Sequence, residues 1–129
     1  MLQKGILNPA VLSLLARVRH TNTLVIADWA FPFWPQIETV DISLTKGIPT
    51  VLQVLELLRS NYKIGELFMA EEFNSSNRGA VLTSFRRSFK GLKVTYEPHL
   101  QFKLRVPGAI GLIRTGDPTP YGNIIIESA

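Results

Sequence analysis

Leu24-Val25-Ile26-Ala27-Asp28 is the stretch from which the fold is read. Four consecutive apolar residues stop at a carboxylate. A strand with one wet face would alternate apolar and polar residues. An unbroken apolar run reads instead as a central strand buried on both faces, which is typical of a sheet covered by helices on each side. Outward from it, strand-like and helix-like segments alternate. Asn8-Pro9 is a helix-start signal, with Asn8 as cap and Pro9 at the first helical position. Val11, Leu12, Leu14, Leu15 and Val18 follow at helical spacing, and Arg17 and Arg19 suit the negative end of the helix dipole. His20-Thr21-Asn22 breaks this helix before the buried strand.

After Asp28 comes an aromatic loop, Trp29 to Pro35, which holds both tryptophans of the chain. Ile37 to Ile42 reads as a second strand. Lys46-Gly47-Ile48-Pro49 reads as a turn, with Pro49 opening a helix that carries Val51, Leu52, Val54, Leu55 and Leu58. Ile64 to Ala70 is a third strand. Ser75 and Ser76 lead into a helix through Val81, Leu82, Phe85 and Phe89, which Gly91 stops. Leu92 to Tyr96 is a fourth strand. Pro98 starts a short helical turn bearing His99 and Lys103, and Pro107-Gly108 turns the chain into a final strand pair. The expectation is an α/β fold: a single three-layer-like domain over residues 1–129, with a mainly parallel central sheet flanked by helices. In such sheets ligands gather at the carboxyl ends of strands, so Asp28 and the pair Glu71-Glu72 are pocket candidates by topology.

The totals set limits. The chain has 129 residues, a size that suits one core, and is 46% hydrophobic, too apolar for a disordered chain. No apolar run approaches the ~18 residues of a membrane span. The start, Met1-Leu2-Gln3-Lys4-Gly5, lacks the apolar segment of a signal peptide, which leads to the expectation of a soluble, cytoplasmic protein without a membrane partner. There are no cysteines, so thiolate catalysis and cysteine zinc sites are excluded. Net charge is +4, but it is dispersed; the one tight basic cluster, Arg86-Arg87 with Lys90, reads as a solvated helix face, and no nucleic-acid partner is expected. No Gly-rich loop has phosphate-binding spacing, no histidine–carboxylate set has metal-ligand spacing, and nothing resembles a serine nucleophile elbow. Neither cofactor nor metal is expected.

Ile113-Arg114-Thr115-Gly116-Asp117-Pro118-Thr119-Pro120-Tyr121-Gly122-Asn123 is the densest polar stretch. Apolar runs flank it, and two prolines stiffen it. Thr115, Asp117, Thr119, Tyr121 and Asn123 offer the mixed donors and acceptors that a sugar would require. A tight connection with a packed Tyr121 and a capping Asn123 would read the same way. Among titratable groups, the two histidines are the natural proton shuttles at neutral pH, with an ordinary pKa near ~6.5. His20 closes the first helix. His99 and Lys103, four apart, share one face of a helical turn. Each histidine also has a surface or capping alternative, and Asp28 a loop-capping one. Trp29 and Trp34 could stack on the apolar face of a sugar, or pack, or meet a second subunit.

Set in order, Gly5-Ile6-Leu7-Asn8, Arg19-His20-Thr21, Val25-Ile26-Ala27-Asp28, Pro32, Val40-Asp41-Ile42-Ser43-Leu44, Gly47-Ile48-Pro49, Ala70-Glu71-Glu72, His99, Phe102-Lys103 and Ile113 to Asn123 resemble the D-ribose pyranase family, which also contains the L-fucose mutarotases. Each piece is weak alone; together they span nearly the whole chain. The Arg-Thr-Gly and Thr-Pro-Tyr pieces and the His99 to Lys103 spacing favour the ribose branch. Trp29-Ala30 stands where that family usually carries a small pair. The resemblance implies an isomerase that interconverts ring forms of a free monosaccharide by acid–base ring opening. It implies His20 as proton donor, and Asp28, His99, Lys103, Tyr121, Gly122 and Asn123 as substrate-binding groups. It also implies a ring-shaped homodecamer whose active sites are shared between subunits. A non-catalytic sugar-binding accessory of an uptake system and an L-fucose mutarotase-type exchange are the alternatives. One geometric question stays open. His20 and Asp28 are eight residues apart, up to about 26 Å if extended, so they meet only if Thr21-Asn22 turns back or if different subunits supply them.

Overall fold

The computed structural model describes all 129 residues. Six strands form one sheet in the order β2-β5-β1-β6-β3-β4. In chain order the elements are α1 (Pro9–Arg17), β1 (Thr23–Ala27), β2 (Glu38–Asp41), α2 (Val51–Arg59), β3 (Ile64–Ala70), α3 (Glu72–Ser76), α4 (Ala80–Ser88), β4 (Lys93–Glu97), α5 (His99–Arg105), a 3₁₀ turn (Val106–Gly108), β5 (Gly111–Arg114) and β6 (Ile124–Ser128). Five strands run one way. β6 alone runs against them, paired antiparallel with both β1 and β3.

The reading of β1 holds: Leu24, Val25, Ile26 and Ala27 are all fully buried. Their side chains alternate between two apolar layers. Leu24 and Ile26 join Leu67, Met69, Ile113, Ile124 and Ile126 beneath α1, α2 and α4. Val25 and Ala27 join Phe68, Leu112 and Ile125 beneath α5 and the aromatic loop, where Phe102, Val106, Phe31 and Trp34 close the other face. The layer arrangement expected of an α/β domain is therefore present, with helices on both sides of the sheet.

Several local expectations need correction. Asn8 does cap α1, its side-chain oxygen accepting from the Val11 amide at 3.0 Å. Pro49 does not open α2. It lies one residue before the cap, Thr50, which accepts from the Gln53 amide while the Gln53 side chain accepts from the Thr50 amide, a reciprocal capping box. The helix expected from Ser75 is two helices, because Asn77 is extended and Gly79 has φ +54°. The Asn77 amide group donates both to the Phe73 carbonyl and to the distant Pro120 carbonyl, each at 2.9 Å, which fixes the break. The last two strands are not a pair. β1 lies between β5 and β6, so the polar segment joining them passes over the carboxyl end of β1 instead of forming a hairpin.

Candidate active site

The parallel strands and the loops after them put the site at one edge of the sheet. Asp28 leaves the carboxyl end of β1, and Asn123 enters β6 at the same edge, since Ile26 is opposite Ile124. The Asn123 side-chain oxygen accepts the Asp28 amide at 2.7 Å, and both residues are buried. A cavity of about 350 Å³ opens above them. Its walls are Asp28, Trp29 and Phe31 from the aromatic loop, His99 from the start of α5, and Thr119 and Tyr121 from the β5–β6 segment. The volume is at the lower end of the range common for small-ligand sites.

The polar segment is rigid because its own polar groups hold it. Thr115 donates its hydroxyl to the Ala27 carbonyl at 2.8 Å and accepts the Asp117 amide. The Asp117 carboxylate accepts the Val51 amide with one oxygen and the Thr119 amide with the other, both at 2.9 Å. Thr115 and Asp117, expected as sugar-contacting groups, are therefore structural. The second also adds a carboxylate to the start of α2, the favourable end of the helix dipole. Gly122 is buried behind the cavity wall; a Cβ there would sit 3.0 Å from the Thr119 carbonyl oxygen, so a larger residue would make the turn give by a few tenths of an ångström. Tyr121, the residue before it, has φ +54°, the left-handed region that a tyrosine rarely adopts. That backbone turns its ring toward His99, 5.1 Å away and edge-on.

His99 sits in an aromatic cage. Phe31 and Phe102 complete it, with centroids 6.4 and 6.1 Å from the imidazole. Its Nδ1 is buried without a partner. Burial pushes its pKa below the ordinary 6.5, the Lys103 ammonium pushes it the same way, and the Glu72 carboxylate opposes both. Glu72 also fixes the start of α5, both its oxygens lying 3.0 Å from the His99 amide. That is the use of the Glu71-Glu72 pair: Glu72 caps, and Glu71 is exposed. Asp28 is shifted the other way. Burial raises its carboxyl above the ordinary 3.8, against hydrogen bonds from the Ala30 and Phe31 amides and from Asn123, with a small further push from Asp117. One cavity therefore holds a carboxyl whose pKa is raised and an imidazole whose pKa is lowered, both chiefly by burial.

Of the residues singled out in the sequence, Asp28, His99, Tyr121 and Asn123 meet in this cavity. Lys103 acts on His99 through its charge but does not line the wall, and Gly122 lies behind it. His20 is elsewhere. It is exposed and sits at the opposite end of β1, beside Thr21, whose amide donates to Ser128 at the far end of β6. Thr21 does turn the chain, with φ +64°, but β1 then carries Asp28 away. Within one chain His20 and Asp28 do not share a site. The sequence reading missed the roles of Phe31 and Glu72. The aromatic loop marked the first, but nothing local linked Glu72 to a residue 27 positions on.

Comparison with known proteins places this arrangement. The sequence profile of the RbsD / FucU transport protein family matches residues 1–129. The chain belongs to that family. A D-ribose pyranase of Geobacillus kaustophilus is 40% identical over 128 residues, 99% of this chain and 93% of that protein. A D-ribose pyranase of Bacillus licheniformis is 36% identical over 128 residues, 99% of this chain and 97% of that one. The structure of Bacillus subtilis RbsD complexed with D-ribose superposes with a TM-score of 0.91 at 31% identity, covering 100% of this chain and 98% of the other. A Streptococcus pneumoniae fucose mutarotase solved with L-fucose shares the fold at a TM-score of 0.79 and 17% identity, over 95% and 92% of the two chains. That fucose mutarotase thus shares the sheet described above, and the relatives at 40% and 36% identity are D-ribose pyranases. No group of three or more His, Asp or Glu side chains is placed to hold a metal ion, and no helix is long and apolar enough to cross a membrane.

Proposed function

We propose that this protein is a D-ribose pyranase-type isomerase, interconverting pyranose and furanose forms of a free monosaccharide. The observation that carries the reading is the cavity in which Asp28, His99, Tyr121 and Asn123 meet, in a chain so similar over its full length to pyranases. The reaction needs only proton movements. The anomeric hydroxyl gives up a proton, the ring oxygen gains one, and the C1–O bond of the ring breaks to leave the open-chain aldehyde. A different hydroxyl then adds to that aldehyde carbon, losing its proton as the carbonyl oxygen takes one up. General acid–base catalysis supplies about 10²–10⁴-fold in such a step.

In this reading His20 is the acid that protonates the ring oxygen. Asp28 orients a hydroxyl, and His99, Lys103, Tyr121 and Asn123 hold the others, with Gly122 keeping the loop closed. Because His20 is at the far end of β1, it must come from a neighbouring copy, as a homodecamer with shared sites would allow. Leu100 and Leu104, four apart on α5 and 71% and 73% exposed, supply apolar surface for such assembly. A cytoplasmic location, expected from the sequence, is part of this reading. A second reading has its own support: Asp28 and His99 line one cavity of a single chain, so that these two groups would carry the proton exchange without His20.

Saturation-transfer NMR on D-ribose tests both. An isomerase speeds exchange between ring forms, whereas a non-catalytic sugar-binding accessory leaves the rates unchanged. His20→Ala is expected to lower the catalysed exchange about 10²-fold or more while leaving stability within about 0.5 kcal/mol, as for an exposed side chain. An unchanged rate in His20→Ala with a lost rate in His99→Ala would transfer the acid–base role to the Asp28–His99 pair.

A further inference from the structure

Trp29 is a wall of the cavity with no part in the proton transfers, and its backbone is held from both sides. Its amide donates to the Asp117 carbonyl at 2.9 Å, and its own carbonyl accepts from Arg114 Nε and Nη2 at 3.2 and 2.9 Å. Arg114 is in turn held by Asp41 at 2.8 Å and by Ser43 at 3.0 Å. The backbone is therefore clamped on both sides. The side chain, by contrast, is 41% exposed, which is wasteful for an indole with no partner of its own in the apolar layers. The Lys46 ammonium lies over the ring, 5.5 Å from its centroid. Trp29 lines the cavity and Lys46 does not.

A monosaccharide ring has polar edges and apolar faces made of C–H bonds. The groups already assigned, Asp28, His99, Tyr121 and Asn123, can satisfy edges. Of the aromatic walls, Phe31, His99 and Tyr121 pack against one another, which leaves Trp29, an exposed indole, as the flat apolar surface free to meet a ligand. We propose that Trp29 is the stacking platform of this site, a specificity-determining residue that binds the C–H face of the sugar ring from a backbone clamped between Asp117 and Arg114. This rests on the monosaccharide reading given above, but not on its catalytic part. The C–H face of the ring is still largely in place in the transition state for breaking the C1–O bond, so stacking acts on it about as on the bound sugar, and its loss is expected in KM more than in kcat.

The test uses the two-tryptophan content of the chain. In Trp34→Phe the only indole is Trp29, and titration with D-ribose is expected to change its emission saturably, at the midpoint that calorimetry gives for binding. Trp29→Ala is expected to weaken ribose binding about ten-fold, and Trp29→Phe, which keeps an aromatic face, only about two- to three-fold. Emission that stays constant at ribose concentrations that saturate the calorimetric signal, or a Trp29→Ala protein that binds within two-fold of the parent, would overturn the proposal. If the parent accelerates ring exchange while Trp29 is silent, the stacking role alone falls. If the parent binds ribose with the expected emission change but does not accelerate exchange, the isomerase reading falls and the stacking role stands. No ribose binding at all would remove both.

Discussion

Replacing Asp117 by alanine tests how the cavity is held open. Asp117 is 4% exposed, and each of its carboxylate oxygens accepts one backbone amide, Val51 at the start of α2 and Thr119 in the wall of the site. Alanine leaves both donors without a partner. An unsatisfied buried donor costs about 1–3 kcal/mol, and the favourable contact of a carboxylate with a helix start adds about 0.3–1 kcal/mol. Removing a buried carboxylate that disfavours the Asp28 anion offsets a little of this, since that contribution to Asp28 is the smallest of those acting on it. The expected loss is about 3 kcal/mol, or a fall in Tm of roughly 10 °C for a chain of this length. Asp117→Asn keeps one acceptor and should lose about half as much. Urea denaturation at a fixed protein concentration measures the loss, and ring exchange of ribose measured in the same samples should slow because Thr119 and Tyr121 are no longer fixed. A loss below about 0.5 kcal/mol for Asp117→Ala, the range of an ordinary surface change, would mean that these two hydrogen bonds do not support the loop.

Two further outcomes follow from the same geometry. Glu72→Gln keeps an acceptor for the His99 amide but removes the negative charge that favours the imidazolium; the His99 pKa, already below 6.5, should fall further. The acid limb of kcat/KM against pH should then move to lower pH, and an unmoved limb would exclude His99 as the group being titrated. The corresponding stability effect has a definite sign. A histidine with a lowered native pKa binds protons preferentially when unfolded, so stability should decline as pH falls from about 6.5 through the lower native value. Gly116→Ala should be severely disruptive, by about 3 kcal/mol or more, because a Cβ would sit 2.7 Å from the backbone oxygen of Ile48 and closer still to that of Thr45; a well-folded protein at wild-type yield would show that this crossing can relax.

What was legible in the sequence was whatever is decided locally. Four buried residues in a row at Leu24–Ala27, the Asn8-Pro9 cap, and the placement of His99 at a helix start after Pro98 each depend on neighbours a few positions away, and each is found in the structure. The errors share a cause. Asn77 breaks a helix by reaching Pro120, Asp117 caps a helix 66 residues upstream, and β1 separates β5 from β6. Such partners are chosen by tertiary packing, which periodicity and propensity do not encode. The site divided the same way. Residue chemistry pointed to Asp28, His99, Tyr121 and Asn123. It left open whether Thr21-Asn22 brings His20 back to Asp28; the structure shows that β1 keeps the two apart.

The one strand that opposes the others has a consequence for assembly of the chain itself. β1, β2 and β5 make one half of the sheet and β3 and β4 the other, and no hydrogen bond ladder joins the halves except through Ile124–Ser128. That segment is the last to be synthesised of all the strands. Two half-sheets with bare edges must therefore wait for it, and a tag or truncation that disturbs these five residues would leave a pair of sticky fragments in place of a weakened protein.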